Sequence, residues 1–543
     1  MPVKKKKHIT TKWSRLRLIA LIATGVVCTT LIALTLTALP ASLKKKVLRA
    51  PICDRCNVVV ISLDTLSGLH LPCYGYPKNT APNLCGFAKR NTYFTNASSQ
   101  SYFTLPSHMS LFTSQYPSTH GMLEAGTSQL PQSSVTLAET LKNAGYATLY
   151  YGPIDSEYLP LNRGFARGFT YIDAEYDYER EYGLDNWKRG IDKLDENRKK
   201  GEPTFLFLHT YYVHQPYLPG TRPFHFSNDS SQKIPVTKDE YFSFTPEFME
   251  FTKRFFRQNP PMTQNLSSLF SKYMATDDYE TARRLYNDLT SGDCKNYCLE
   301  AEYFYTQQKD NPQDVAYMKA LYDELIFQLD TQLSDILAQL QPMLSHDTIL
   351  IITSDHGEEF MEHGDLMHRS LYGGVLRVPL ILSVPQVHPK VIHQPVGIID
   401  IYPTIVGLLG LPNIRSLEGQ DLSDAVMGLP TLRLFRPVIS EYYNSFNPKN
   451  ASVPLRQRAI TTSRWKMYLR SLDGTSSSDI ELYDVINDPW DTTNVADKHP
   501  FVVWYLKQIH HKFNNGRTLS YPQNTAESLP LPTPEQQQRL FHY

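Results

Sequence analysis

The sequence predicts an α/β protein: a large, mostly parallel sheet flanked by helices, with a smaller C-terminal α+β subdomain and one N-terminal transmembrane helix. Three observations predict it. Continuous β-branched runs read as strands buried on both faces, helical stretches alternate with those runs, and one long apolar stretch near the N-terminus carries no charge.

Taken in order, residues 1–17 are a basic segment holding Lys4, Lys5, Lys6, Lys7, Lys12, Arg15 and Arg17. Residues 18–43 follow without a charged side chain. About 20 apolar residues suffice to cross the hydrocarbon core as a helix, whereas a cleaved signal peptide usually has an apolar region of only about 7 to 15. We therefore expect residues 18–43 to be an uncleaved anchor. The basic residues before it outweigh Lys44, Lys45, Lys46 and Arg49 after it, which places the N-terminus in the cytoplasm and the bulk of a single-pass chain outside, in the periplasm if the source is bacterial.

Residues 44–57 read as a linker and residues 58–431 as the main domain. Strands are expected at Val58–Leu63, Ala147–Tyr151, Thr204–Leu208, Thr348–Ile352 and Val378–Leu382, with helices at Val135–Ala144 and Val315–Leu340 between them. Residues 224–313, rich in Tyr, Phe, Asn and charge, read as a mostly helical insertion near the site entrance. Residues 432–515 form the subdomain, with strands at Arg458–Thr462, Lys466–Leu469 and Glu481–Tyr483 and a helix near Val502–His511. Residues 516–543, rich in Pro, Gln and Ser, read as a loosely ordered tail.

Lys+Arg and Asp+Glu both number 54, so the bulk charge calls for no nucleic acid or other polyanion. Cys28 falls in the anchor, which leaves Cys53, Cys56, Cys73, Cys85, Cys294 and Cys298 outside. In an oxidising compartment these permit disulfides, the favoured reading; the close pairs Cys53/Cys56 and Cys294/Cys298 also permit a zinc site. Connectivity stays open.

Polar residues follow several of the strands: Asp64 the first, His209 and His214 the third, Asp355 and His356 the fourth. In open α/β sheets the ligand site lies outside the carboxyl ends of the strands, so these residues are expected to converge there. Asp64, Thr104, Asp355 and His356 together make a cation site. Two carboxylates, a hydroxyl and an imidazole suit one divalent ion, Zn²⁺ or Mn²⁺ better than an all-oxygen Ca²⁺ cage. Singly each has a plainer reading: an Asp at a strand end caps a helix, and an Asp–His pair is more often structural.

Five segments together are specific: VVVISLDTLSGLHLPCYGY with Asp64, YFTLPSHMSLFTSQYPSTHG with Thr104, FLFLHTYYVHQPYLP with His214, IITSDHGEEFMEHGDLMH with Asp355, and LYDVINDPWDTTNVAD near the C-terminus. In this order they resemble the sulfatase-like branch of the alkaline phosphatase superfamily over about residues 57–513. In true sulfatases the second segment reads CxPSRxxxLTG, and its first residue, Cys or Ser, is oxidised to formylglycine. Thr104 stands there instead, with His108 in place of Arg, and Thr65 replaces the second of two acidic residues. Oxidation of a threonine side chain gives a ketone rather than an aldehyde.

The resemblance therefore shifts to phosphoethanolamine and glycerol phosphate transferases of the same fold, which use a Thr nucleophile beside one metal and usually carry Glu where Asp64 stands. It implies Thr104 as nucleophile, Asp64, Thr104, Asp355 and His356 as metal ligands, and His214 and His368 as groups that contact substrate and stabilise charge or act as general acid. His108 is implied as a further substrate contact replacing the Arg. His209 and His363 are weaker candidates, and Asp365 and Glu358 are expected to hydrogen-bond the ligands from behind. The function read from this is metal-dependent hydrolysis or transfer of phosphoesters, with a lipid or cell-envelope glycan as acceptor or substrate. Alternatives are an extracytoplasmic sulfatase without formylglycine, and an inactive relative serving binding or assembly.

Overall fold

The computed structural model describes residue 52 and residues 55–514, except 124–128, 154–158, 160–162, 175–183, 221–223, 228–245, 254–266, 286–307, 413–415, 430–435, 445–454, 471–479 and the single positions 247, 251, 279, 280 and 283. The expected anchor at 18–43, the tail at 516–543, and Cys53, Cys294 and Cys298 lie outside the described residues. Among the described residues no helix is long and apolar enough to cross a membrane.

Among the described residues eight strands make the main sheet: β1 (Asn57–Leu63), β2 (Thr92–Phe94), β3 (Ala147–Tyr151), β4 (Tyr171–Asp173), β5 (Thr204–Thr210), β6 (Thr348–Thr353), β7 (Leu380–Ser383) and β8 (Lys390–Ile392). Their order is β8-β2-β7-β6-β1-β5-β3-β4. All neighbours run parallel except β7, which is antiparallel to both β6 and β2. The central strand β1 is buried at every position, as a strand covered on both faces by helices must be. Its even and odd positions feed two separate cores: Val59, Ile61 and Leu63 on one face, Val58 and Val60 on the other.

One face is covered by the long helix that ends just before β6. We label the helix that begins at Thr104 α1 (Thr104–Thr113) and this long one α2 (Pro312–Leu344). The Asn311 side chain accepts a hydrogen bond from the Gln313 backbone N–H, and Pro312 takes the first turn, where its missing donor costs nothing. Met318, Leu321, Leu325, Leu329, Leu333, Ile336 and Leu340 recur every three or four residues and are buried, each contributing about 1.5–3 kcal/mol of transfer free energy. The same helix props the loop after β1. The Tyr322 hydroxyl donates to the Thr65 carbonyl at 2.6 Å and accepts from the Ser67 N–H at 2.9 Å.

A second sheet of four antiparallel strands in chain order, β9 (Val438–Asn444), β10 (Leu455–Thr461), β11 (Trp465–Leu469) and β12 (Ile480–Asp484), precedes helix α3 (Pro500–Asn514). Period-2 alternation gives it two apolar faces. Tyr442, Ala459, Tyr468 and Tyr483 meet Tyr102, Leu371 and Tyr372 of the main domain, while Ile439, Ile460, Met467, Leu469, Ile480 and Leu482 meet Leu506 of α3. Backbone bonding extends the junction: the Glu441 N–H donates to the Gln100 carbonyl at 2.8 Å.

Of the expected insertion at 224–313, the described part includes a helix at Ser267–Ala275, and most of the remainder lies outside the described residues. Cys73 and Cys85 form a disulfide, and Cys56 is also disulfide-bonded.

Candidate active site

Asp64 follows β1 directly, and its backbone N–H donates to the Thr210 carbonyl at the end of β5. Asp355 and His356 follow β6. Thr104 is the first residue of α1, whose chain arrives in extended conformation at Phe103 and leaves through Ser114 in the left-handed region. The carboxyl ends of β1 and β6 and the N-terminus of α1 thus converge. The Asp64, Asp355 and His356 ligand atoms lie within 4.8 Å of one another, and all three residues are buried.

The Thr104 Oγ1 hydroxyl donates toward Asp64 Oδ2 at 3.3 Å and lies 3.4 Å from His356 Nε2. A carbonyl can only accept, so the 3.1 Å contact of His356 Nδ1 with the Gly357 carbonyl puts the ring proton on Nδ1 and leaves Nε2 a lone pair facing the site. Asp355 is anchored through Oδ1, which accepts from the His356 N–H at 2.9 Å and the Thr65 N–H at 3.2 Å. Its Oδ2, like Oδ1 of Asp64, has no hydrogen-bond partner among the described residues. Burial and the neighbouring Asp355 push the Asp64 carboxyl well above the usual carboxylate range. Two buried acidic groups with bare oxygens, a lone-pair imidazole and a hydroxyl are the donor set a divalent cation satisfies, and the residues fit such an ion.

Thr65 supplies no ligand. Its side-chain hydroxyl turns back to donate to the Asp64 carbonyl at 2.8 Å, and the residue sits in the left-handed region at φ 54°, a strained setting for a β-branched side chain. What it contributes is the backbone N–H that holds Asp355.

His214 and His368 stand together, their ring centroids 5.4 Å apart, and His368 lies 4.5 Å from the His356 ring. His214 Nδ1–H donates to the Gln215 carbonyl, so its Nε2 is the acceptor. His368 Nδ1 pairs with Glu358 Oε1 at 3.0 Å. Burial lowers the His368 pKa to about 4, and burial together with His368 lowers that of His214. Burial raises Glu358 to about 7.

Several expectations need correction. His108, expected to contact substrate, has both ring nitrogens engaged: Nδ1–H donates to the Thr104 carbonyl at 2.9 Å, and Nε2 meets the Ser62 hydroxyl at 3.0 Å. It braces the first turn of α1 rather than offering a free nitrogen. Asp365 is exposed and accepts from its neighbour Leu366 N–H, a local turn bond. Glu358 supports His368, not a metal ligand. His363 is bound on both sides, by Glu359 and by the Asp491 carbonyl, and stacks on Tyr372, so it belongs to the junction with the second sheet. His209, a minor candidate from sequence, lies next to the carboxylates: its Nε2 is 3.7 Å from Asp64 Oδ2.

Comparison with known proteins places the chain in a family. Residues 56–411 match the family model described as Sulfatase, and residues 361–518 match that described as N-sulphoglucosamine sulphohydrolase, C-terminal. Arylsulfatase K of Canis lupus familiaris is 31% identical over 208 residues, a stretch covering 37% of this chain and 37% of that protein. The matched stretch thus spans little more than a third of the length of this relative. Among solved structures, a 2-O GAG sulfatase superposes with a TM-score of 0.58 at 17% identity, covering 85% of this chain and 92% of that one. The phosphonate monoester hydrolase of Silicibacter pomeroyi superposes with a TM-score of 0.55 at 18% identity, covering 88% and 98%. At such identities the superpositions speak for the fold alone, while the family match covers most of this chain. The chain belongs to the sulfatase family of the alkaline phosphatase superfamily.

Proposed function

We propose that this protein hydrolyses or transfers phosphoesters through a covalent phosphothreonine on Thr104. The observation that carries the reading is the place of Thr104 Oγ1, between Asp64 Oδ2 at 3.3 Å and His356 Nε2 at 3.4 Å at the start of a helix. A hydroxyl held there is a nucleophile in waiting, and a threonine is no precursor of an aldehyde.

Asp64, Asp355 and His356, with the Thr104 hydroxyl, would hold a divalent ion, whose charge lowers the pKa of a hydroxyl beside it and neutralises oxygens of a transferring group. The rest is done by the chain. The Thr104 proton leaves along its hydrogen bond to Asp64 Oδ2 as Oγ1 attacks phosphorus. The Oγ1–P bond forms while the bond from phosphorus to the leaving alkoxide breaks, and His368, protonated in the complex with the anionic ester, gives its Nε2 proton to that alkoxide. Glu358 stabilises the imidazolium that this requires and keeps Nδ1 pointed away from substrate. Water or an acceptor alcohol then gives a proton back to His368 and attacks phosphorus, and the Thr104 oxygen recovers its proton from Asp64. His214 Nε2 faces the same space and contacts an ester oxygen. The apolar stretch at 18–43 favours a lipid or envelope glycan as substrate or acceptor.

A second reading, sulfate ester hydrolysis at the same site without formylglycine, is favoured by the match to arylsulfatase K. An inactive binding protein is disfavoured by the burial of two carboxyl groups with bare oxygens, which costs stability without an ion to hold.

The test is turnover of matched aryl phosphate monoesters, diesters and aryl sulfate by the full chain loaded with Mn²⁺ or Zn²⁺, alongside Thr104→Ala. Phosphoester turnover that falls by about 10³-fold or more in the variant supports the proposal. Sulfate turnover that survives the substitution refutes it.

A further inference from the structure

Three buried acceptor atoms at or beside the two carboxylates lack any hydrogen-bond partner among the described residues: Asp64 Oδ1, Asp355 Oδ2 and His209 Nε2. The two carboxylate atoms belong to the ion site already described. His209 does not, and its bare nitrogen has no explanation there.

The tautomer of His209 follows from its other nitrogen. Nδ1 lies 3.2 Å from the Ser62 carbonyl of the adjacent strand, where β1 and β5 pair Ser62 with His209. A carbonyl accepts only, so Nδ1 carries the proton and Nε2 carries a lone pair. That lone pair is fully buried and sits 3.7 Å from Asp64 Oδ2. With Asp64 ionised, as an ion held by Asp355 and His356 would keep it, two buried acceptors face each other and repel unless a cation lies between or beside them.

The ring is also built in rather than left over. The His209 carbonyl accepts from the Trp187 indole N–H at 3.1 Å, and Gly152 packs so closely that a Cβ there would come within 2.6 Å of the same oxygen. His108 and Tyr211 meet the imidazole edge to face, with centroids 4.7 Å and 5.0 Å away. Backbone and ring are therefore fixed before any ligand arrives, as metal-ligating histidines usually are. Among the described residues, the only basic side chains within ion-pair distance of Asp64 and Asp355 are His209, His356 and His108. His108 has spent both nitrogens, which leaves His209 and His356.

We infer that His209 Nε2 is a further ligand of the divalent ion, which it reaches beside Asp64, so that the centre has two carboxylates, two imidazoles and the Thr104 hydroxyl. This rests on the reading that an ion is held by Asp64, Asp355 and His356. A second neutral nitrogen leaves the charge of the donor set unchanged and moves its preference from Ca²⁺, which takes oxygen ligands, toward Mn²⁺, Co²⁺ or Zn²⁺.

The experiment strips the full chain with a chelator, restores Mn²⁺, and counts imidazole nitrogens bound to the ion by electron spin-echo modulation, with Mn²⁺ and Ca²⁺ affinities from titration calorimetry. His209→Asn retains an N–H for the Ser62 carbonyl but has nothing at the Nε2 position. We expect two bound nitrogens in the wild type and one in His209→Asn, at least about a 10-fold loss of Mn²⁺ affinity, and little change for Ca²⁺. Should the Asn variant unfold by circular dichroism, His209→Gln, whose amide reaches near the Nε2 position, is expected to show one nitrogen with most of the affinity kept. A single nitrogen in the wild type overturns the inference, as does unchanged Mn²⁺ affinity in His209→Asn or binding of two ions. Asp355→Asn separates the two levels of the argument: if it binds Mn²⁺ as tightly as the wild type, the ion site itself is misplaced.

Discussion

Lys466 and Asp491 form a buried ion pair, Nζ to Oδ2 2.5 Å, where the second sheet meets the main domain. Burial lowers the lysine pKa and raises that of the aspartate in spite of the pairing, so desolvation outweighs mutual attraction on both sides. Such a pair adds little net stability but is costly to break, about 3–5 kcal/mol when one partner is removed. The neighbours decide which end of that range applies. Arg377 disfavours the charge on Lys466 and favours that on Asp491. Lys466→Met, which keeps the apolar stem and leaves Asp491 facing Arg377, is therefore expected to cost about 3 kcal/mol, and Asp491→Asn, which leaves an ammonium facing a guanidinium, about 4–5 kcal/mol. Asn is the replacement of choice because Asp491 has φ 60°, which Asn tolerates. The double variant removes both charges and should lie within about 1 kcal/mol of the wild type. Urea unfolding of the full chain, followed by tryptophan fluorescence, reads this out locally: Trp490 adjoins the pair and lies beneath Lys319 Nζ at 4.5 Å. A double variant as unstable as the worse single one would refute the reasoning.

Two further outcomes test the site and its surroundings. Glu358→Gln keeps an acceptor for His368 Nδ1–H but removes the charge, so kcat should fall roughly 10- to 100-fold with KM little changed; an unchanged kcat would remove Glu358 from the mechanism. His120 is buried with Nδ1 accepting from the Met122 N–H at 3.0 Å, and burial lowers its pKa from 6.5 to about 3. The unfolded chain therefore binds a proton that the folded one refuses between those values, and stability falls as pH drops through that window. In His120→Asn the pH slope of unfolding free energy between about pH 6 and 4 should shrink by about 1.4 kcal/mol per pH unit, and an unaltered slope would contradict the assignment.

Buried parallel strands were legible because they leave continuous runs: Val58–Leu63, Ala147–Tyr151, Thr204–Leu208 and Thr348–Ile352 all lie in strands of the main sheet. Strands β2, β4 and β8 have three residues each, too few to carry a period, and escaped notice. The run at Val378–Leu382 showed a strand but not that it reverses direction, since orientation depends on the partners. At the site, Asp64, Thr104, Asp355 and His356 could be named because they follow strands or carry the family motifs, and the structure brings them together. The histidines could not be ranked. His108 has both ring nitrogens spent and His209 only Nδ1, a difference made by whether Nε2 meets the Ser62 hydroxyl, which no spacing along the chain reveals.

The bond from the Thr65 N–H to Asp355 joins residues 290 apart in the chain. At about 5–20 residues per second, a ribosome needs roughly 15–60 s to travel that distance. For all that time Asp64 has been made, and for most of it Thr104 too, but Asp355 and His356 have not, and β1 lacks β6, its neighbour on one side. The nascent chain is therefore incapable of capturing an ion in the finished arrangement, or of attacking an ester, until β6 is available to pair with β1. Assembly of the site is thus a late event of biosynthesis, and a truncated product ending before His356 would carry Asp64 and Thr104 without the two residues that converge on them.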